Sequence, residues 1–184
     1  MEHFHYKIPG WFTYPRLYSY MVEHYDNAHF VEVGSFQGAS AAYMAVEIAN
    51  SGKKIKFDCI DIWNRFTNGG LYLKSPESVP EDLVYQLFLN NTEIVREYIN
   101  AIRAPSTVAA SWYKDSSLDF IFIDANHEYP AVRDDLNSWF PKLKKGGHIA
   151  GHDWDSVTVS AAVKDFFVNK QILIGENCWY HYNE

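Results

Sequence analysis

Phe30-Val31-Glu32-Val33-Gly34-Ser35-Phe36-Gln37-Gly38-Ala39-Ser40 decides the fold. Its first four residues close a short β-branched run from His29 to Val33, which reads as a strand. Gly34 and Gly38 let the backbone turn sharply and come close to a ligand with no Cβ in the way. Ala41, Met44, Ala45 and Ile48 then recur at helical spacing until Ser51-Gly52 stops the helix. A strand, a glycine turn and a helix in that order make the first half of a βαβ unit.

The same alternation continues along the chain. Strands are expected at Ile55–Asp61, Ile99–Arg103, Leu118–Asp124 and His148–Gly151. Helices are expected from Pro15, from Ser78 and Pro80, from Ser106 (as its cap), from Pro130 and over Val157–Val168. Lys142–Lys145 and Gly146-Gly147 read as the end of the helix that Pro130 starts. Two closing strands, Ile172–Ile174 and Cys178–Tyr182, flank Asn177 as an antiparallel hairpin at a sheet edge. This pattern predicts a Rossmann-like, doubly wound α/β fold with a mostly parallel sheet. The 184 residues fit one domain over 1–184, with an N-terminal helical segment at 1–28 and an insertion or lid at 62–92.

Composition narrows the partners. Sixteen Lys and Arg against 23 Asp and Glu give a net charge of −7, and no basic stripe interrupts it. Such an anion repels phosphate backbones, so nucleic acid is not an expected partner. No apolar run approaches a membrane span, and Met1–Tyr6 holds no signal core. Cys59 and Cys178, far apart in sequence, read as free thiols of a cytoplasmic protein. Aromatics make up 17% of the chain, which suits both a ring-rich core and stacking on flat or sugar-like ligands. Those near the N-terminus are candidates for pairing two copies as a homodimer.

In a doubly wound sheet, ligands bind beyond the carboxyl ends of the strands. Four expected strands end there in notable polar groups: Gly34-Ser35, Asp61, Asp124 and His152-Asp153. The spacing G-x-x-x-G is neither the dinucleotide fingerprint nor a Walker loop, so the ligand is not marked as a pyrophosphate. Glu32 places an anion there, which suits a cationic group such as a sulfonium with its α-amino group. Asp61, at the second strand's tip, can accept both hydroxyls of a ribose. A phosphate-free, positively charged nucleoside describes S-adenosylmethionine. Ala104 and Ser106 stand near the expected adenine edge, where Ser106 reads equally as a helix cap. Asp124, His152 and Asp153 together suit magnesium or another divalent cation. Asp124 reads also as an anchor for the donor's amino-acid end, and His152 as a hydrogen-bond partner of a ligand. His127, just beyond, has the resting pKa of a general base. His148 reads as packed in mid-strand, and Trp63 and Trp154 as core or as walls of an acceptor pocket.

These stretches, with Ile8-Pro9-Gly10-Trp11-Phe12 at the start, Phe57–Trp63 and the block Leu118–Trp154, resemble class I S-adenosylmethionine-dependent methyltransferases. The resemblance is to the small branch akin to macrolide sugar O-methyltransferases. It implies seven strands with the last antiparallel and helices on both faces. It also implies donor binding by Glu32, Gly34, Gly38 and Asp61, to which Ser35, Phe36 and Ser40 of the same loop are added. In metal-dependent relatives the aspartate matching Asp124 and an acidic pair after strand five hold magnesium, and the histidine matching His127 is the base. Here the pair is His152-Asp153, so a histidine replaces one acidic ligand. The Asn/Asp-Pro-Pro-aromatic signature of base amino-methylation is missing after strand four. The expected activity is therefore O-methylation of a small hydroxylated acceptor. Its rivals are a metal-dependent hydrolase built on Asp124, His127, His152 and Asp153, a non-catalytic S-adenosylmethionine-binding module and a nicotinamide enzyme.

Overall fold

The structure is a computed structural model that describes residues 1–64 and 81–184. The helix start expected at Ser78 and Pro80, and the 65–80 part of the expected lid, lie outside those residues. The elements are α1 (Pro15–His24), β1 (Asn27–Val33), α2 (Ala39–Ser51), β2 (Lys54–Asp61), α3 (Leu83–Thr92), β3 (Asn100–Arg103), α4 (Ser106–Ala110), β4 (Leu118–Ile123), α5 (Tyr129–Trp139), β5 (Leu143–Gly151), α6 (Val157–Phe166), β6 (Leu173–Gly175) and β7 (Cys178–Tyr182). The strands form a seven-stranded sheet in the order β3-β2-β1-β4-β5-β7-β6. β3 through β5 run parallel, and β7 runs antiparallel to both β5 and β6.

Alternation along the strands builds two cores, one on each face of the sheet. Phe30, Phe57, Cys59, Phe120 and Phe122 point to one side, where Tyr18 and Met21 of α1, Met44 and Ile48 of α2 and Phe88 of α3 cover them. Val31, Val33, Ile60, Ile121 and Ile123 point to the other, against Ala109 of α4, Leu136 and Trp139 of α5 and Val163 of α6. The central strands thus present mainly phenylalanine to one face and Val and Ile to the other. Each fully buried large side chain contributes roughly 1.5–3 kcal/mol, so the central strands hold the sheet. Trp63 is fully buried against Tyr85 and Phe88, and so belongs to the core. Cys59 and Cys178 are buried, free and unbonded to each other.

The structure corrects two local expectations. β5 begins at Leu143, so Lys144–Gly147 is strand, not the end of a helix. The buried Leu143 pairs with Leu118, the register shifts between Leu118 and Phe120, and Lys144 Nζ bonds both oxygens of Asp119 at 2.8 Å. Pairing with β4 therefore overrides the helix-stop chemistry of the lysines and glycines. Ser106 does not cap α4, whose N-cap is Pro105. Its hydroxyl instead donates to buried Asp135 and accepts from Trp139 Nε1 at 2.8 Å, tying α4 to α5. Among the described residues, no helix is long and apolar enough to cross a membrane.

Candidate active site

The carboxyl ends of β1, β2, β4 and β5 open into two adjoining cavities of about 310 and 560 Å³. Gly34, Phe36 and Asp124 line both, so they form the junction. Every site residue expected from the sequence lines one or the other except Glu32. Asp61, Ala104 and Ser106 fall in the larger, while Ser35, Gly38, Ser40, His127, His152 and Asp153 fall in the smaller. A further cavity of about 910 Å³ lies between α1 and the β6–β7 hairpin, beside His148. It touches none of the strand-end groups. His148 itself is buried, bonded to Tyr25 at 2.7 Å and pushed down to about 4 by burial, so it is a packed residue.

Gly34 brings β1 and β4 together. It sits at φ +95°, and a Cβ there would lie 2.1 Å from the carbonyl oxygen of Asp124. Asp124 N–H in turn donates to Val33 O at 2.8 Å. Gly38, at φ +92°, begins α2 and packs against Thr92 and Phe88, so it serves helix packing as well as the cavity wall. Asp61 is the hub of the larger cavity. Its two oxygens accept from Phe36 N–H at 2.9 Å and Trp63 N–H at 2.7 Å, while Trp63 Nε1 donates to Phe36 O at 2.7 Å. Burial raises its pKa against those bonds. Each carboxylate oxygen has a second lone pair, so this holds the glycine loop in place and still leaves acceptors for a diol.

Glu32 lies beneath the junction and lines neither cavity. It is 1% exposed, and its Oε1 accepts from Tyr18 OH at 2.7 Å. Burial pushes its acid up to about 7, tempered by the hydroxyls of Ser35, Tyr18 and Ser40. Its Oε2 and the Ser35 hydroxyl are both buried without a partner in hydrogen-bond geometry. Buried polar atoms are normally paired, so two orphans side by side at a cavity floor mark a place for a polar ligand group. A native pKa above the unfolded value means that Glu32 keeps its proton in the fold where the unfolded chain has lost it. Stability therefore falls as pH rises from about 4.5 to about 7. Glu32→Gln is expected to leave stability unchanged near pH 4.5 and to raise it by about 2 kcal/mol at pH 8. Urea denaturation at both pH values checks this, and equal effects at both would refute the assignment.

At the other end, Asp124, His152 and Asp153 each offer a donor atom, all within 4.8 Å of one another. His152 Nδ1 lies 3.3 Å from Asp153 and 4.0 Å from Asp124, and its Nε2 is 3.0 Å from Thr13 Oγ1. Two carboxylates and an imidazole nitrogen on one side of a small cavity fit a divalent cation. His127 Nε2 reaches Asp153 at 3.0 Å and Asp124 at 3.5 Å. Hydrogen bonds to Asp124 and then Asp153 raise its pKa to about 10, against burial. The ring therefore carries a proton at neutral pH in this arrangement, where the sequence suggests a neutral imidazole. Asp153, bonded to His127 and His152 and set at φ +57°, is held below the ordinary carboxylate range.

Sequence reasoning assigns no site role to the N-terminal segment, yet Pro9–Phe12 and Tyr14 wall the smaller cavity. Tyr14 is 1% exposed, packs its ring at a tilt against Phe122 and donates to Asp124 Oδ2 at 3.2 Å. Trp11, which lines the same cavity, stacks on Phe36. The one sequence signal for them is Ile8–Phe12 in the family resemblance, because their partners lie far along the chain. Trp154, partly buried and capped by Lys164, lines neither cavity.

A family model described as a methyltransferase domain matches residues 31–154, from the first strand through Trp154. The chain belongs to this methyltransferase family. The matched span holds both cavities' strand-end groups, in keeping with the class I S-adenosylmethionine-dependent methyltransferases that the sequence resembles. Among curated proteins, y4gI of Sinorhizobium fredii is 26% identical over 123 residues, 67% of this chain. The matched region is only 13% of that relative's length. Among solved structures, the O-methyltransferase NovP superposes with a TM-score of 0.68 at 16% identity, over 92% of this chain and 78% of its own. An S-adenosylmethionine-dependent O-methyltransferase of Thermotoga maritima gives 0.60 at 12% identity, over 90% and 53%. MycE of the mycinamycin pathway, solved with Mg and SAH, gives 0.58 at 12% identity, over 91% and 48%. At these identities the structures attest the shared fold of this methyltransferase domain.

Proposed function

We propose that this methyltransferase domain transfers a methyl group from S-adenosylmethionine to a hydroxyl of a small acceptor such as a sugar, phenol or hydroxy acid. The observation that carries this reading is the junction of the two cavities at Gly34, Phe36 and Asp124, with the orphaned Glu32 Oε2 and Ser35 Oγ beneath it. The larger cavity, with Asp61 and the wall of Ala104 and Ser106, takes the nucleoside. Glu32 and Ser35 receive the amino-acid end, which carries the ammonium that a buried carboxylate favours. When bound, S-adenosylmethionine supplies a methyl on a cationic sulfur, open to in-line displacement by an oxygen held in alignment.

The smaller cavity then takes the acceptor. Trp11 and Tyr14 present aromatic surface and a phenol to it, which suits a ring or a sugar face. His127, with its side chain 44% exposed at the rim, is placed to accept the hydroxyl proton at Nε2 once a cation has drawn Asp124 and Asp153 away from it and its own proton has been released to solvent. Asp124, His152 and Asp153 would hold a divalent cation, which when bound supplies positive charge beside His127 and polarises an acceptor oxygen. The O-methyltransferase neighbours and the Mg in the MycE structure support this reading.

The test is a melting-temperature screen of the purified protein with S-adenosylmethionine, S-adenosylhomocysteine and adenosine, with and without a divalent cation. Both full-length adenosyl ligands are expected to raise the melting temperature, and adenosine less, because it leaves Glu32 and Ser35 unmatched. No shift with any of them at millimolar concentration would overturn the proposal.

A further inference from the structure

We propose that the Asp124–His152–Asp153 cluster selects a borderline first-row cation of the cobalt–nickel–zinc kind over magnesium, with Thr13 as the positioning residue that presents His152 Nδ1 as a donor. This deepens the reading of the smaller cavity as a cation-assisted site, and rests on that reading for its location.

The donor set carries the argument. Magnesium dehydrates reluctantly and is held through oxygen, whereas imidazole nitrogen suits the later first-row metals. A cluster with two carboxylates and one imidazole therefore shifts selectivity away from the hard cation that an all-carboxylate set would favour. The separations agree with such a site. Donor atoms about 2.0–2.2 Å from a common centre stand roughly 3–4 Å apart, and Nδ1 of His152 lies 3.3 and 4.0 Å from its two carboxylate neighbours.

Thr13 makes the nitrogen available. A histidine can bind a metal through Nδ1 only when its proton sits on Nε2, and the partner of Nε2 sets that choice. Thr13 Oγ1 lies 3.0 Å from Nε2 and can accept that N–H. His152 is only 7% exposed, so its ring has little room to turn away from this partner. The ring is also pinned from the side by Tyr14, whose centroid is 5.0 Å away. The N-terminal segment thus completes the cluster from outside the sheet. Thr13 is itself exposed, so changing it does not disturb the core.

The test is calorimetric titration of chelator-treated protein with Co2+ and Mg2+, followed by the Co2+ absorption spectrum, with no acceptor present. Co2+ is expected to bind on the order of 100-fold more tightly than Mg2+. His152→Asp should cut that ratio at least tenfold and change the cobalt spectrum through loss of the nitrogen donor. Thr13→Val should weaken Co2+ binding roughly tenfold with little change for Mg2+, and Thr13→Ser should restore it. Should His152→Asp misfold, the Thr13 pair alone decides. Equal affinities, a cobalt preference that survives loss of His152, or a Thr13→Val variant that binds Co2+ like the parent would overturn the proposal. S-adenosylhomocysteine titrated into the same samples reports separately on the methyl-transfer reading.

Discussion

Replacing Gly34 with alanine is expected to destabilise the protein by roughly 4 kcal/mol or more. The new methyl would fall 2.1 Å from Asp124 O and 2.5 Å from its carbonyl carbon, both backbone atoms with no rotamer to escape into. Neither strand end can move aside cheaply. Gly34 N–H donates to Ile60 O and Asp124 N–H to Val33 O, each at 2.8 Å, so a shift at this point breaks pairing on both sides of β1. The φ of +95° adds backbone strain for any residue with a Cβ. Gly52 is the control. It has φ +66° and open space where its Cβ would go, so Gly52→Ala should cost only about 1 kcal/mol. Urea denaturation of the two variants compares them. If Gly34→Ala were as mild as Gly52→Ala, β1 and β4 would not meet at this junction.

Asp61 carries the second large effect. Asp61→Ala removes the acceptor of two backbone N–H groups, on Phe36 and Trp63. Leaving them unmade costs about 1–3 kcal/mol each, and the glycine loop and Trp63 lose the link that sets their spacing. If the carboxylate also takes a ribose diol, donor affinity falls about 100-fold, since a site built to bond hydroxyls loses that much when its charged acceptor goes. Asp61→Asn separates the two roles. The amide oxygen still accepts one backbone N–H, so less stability is lost, while the amide nitrogen opposes a diol. Calorimetry with S-adenosylhomocysteine should show at least a tenfold loss for the asparagine variant. Parental affinity there would make Asp61 a loop anchor and nothing more.

Much of this site is legible in the sequence because the doubly wound fold ties function to strand ends. Once β1, β2, β4 and β5 are recognised as short apolar runs, Gly34, Asp61, Asp124 and His152-Asp153 must share one edge of the sheet. What stays hidden depends on contacts between distant residues. Thr13 meets His152 across 139 positions and Tyr14 meets Asp124 across 110, and no local pattern announces either. The charge on His127 is hidden for the same reason. Its own sequence context suggests an ordinary imidazole, while carboxylates from two strand ends hold its proton. Glu32 falls on the expected strand, but alternation alone does not say that Tyr18 shuts it beneath the cavity floor. At β5, Lys-Lys-Gly-Gly carries the chemistry of a helix end, and only pairing with β4 reveals it as strand.

A crystal structure with S-adenosylhomocysteine tests whether the strand ends hold the donor. The ribose hydroxyls are expected on Asp61, the adenine beside Ala104 and Ser106, and the amino-acid end over Ser35 and Glu32, with sulfur turned toward Asp124 and His127. Adenosylhomocysteine bound away from these strand ends, or an empty crevice at saturating ligand, would contradict that placement.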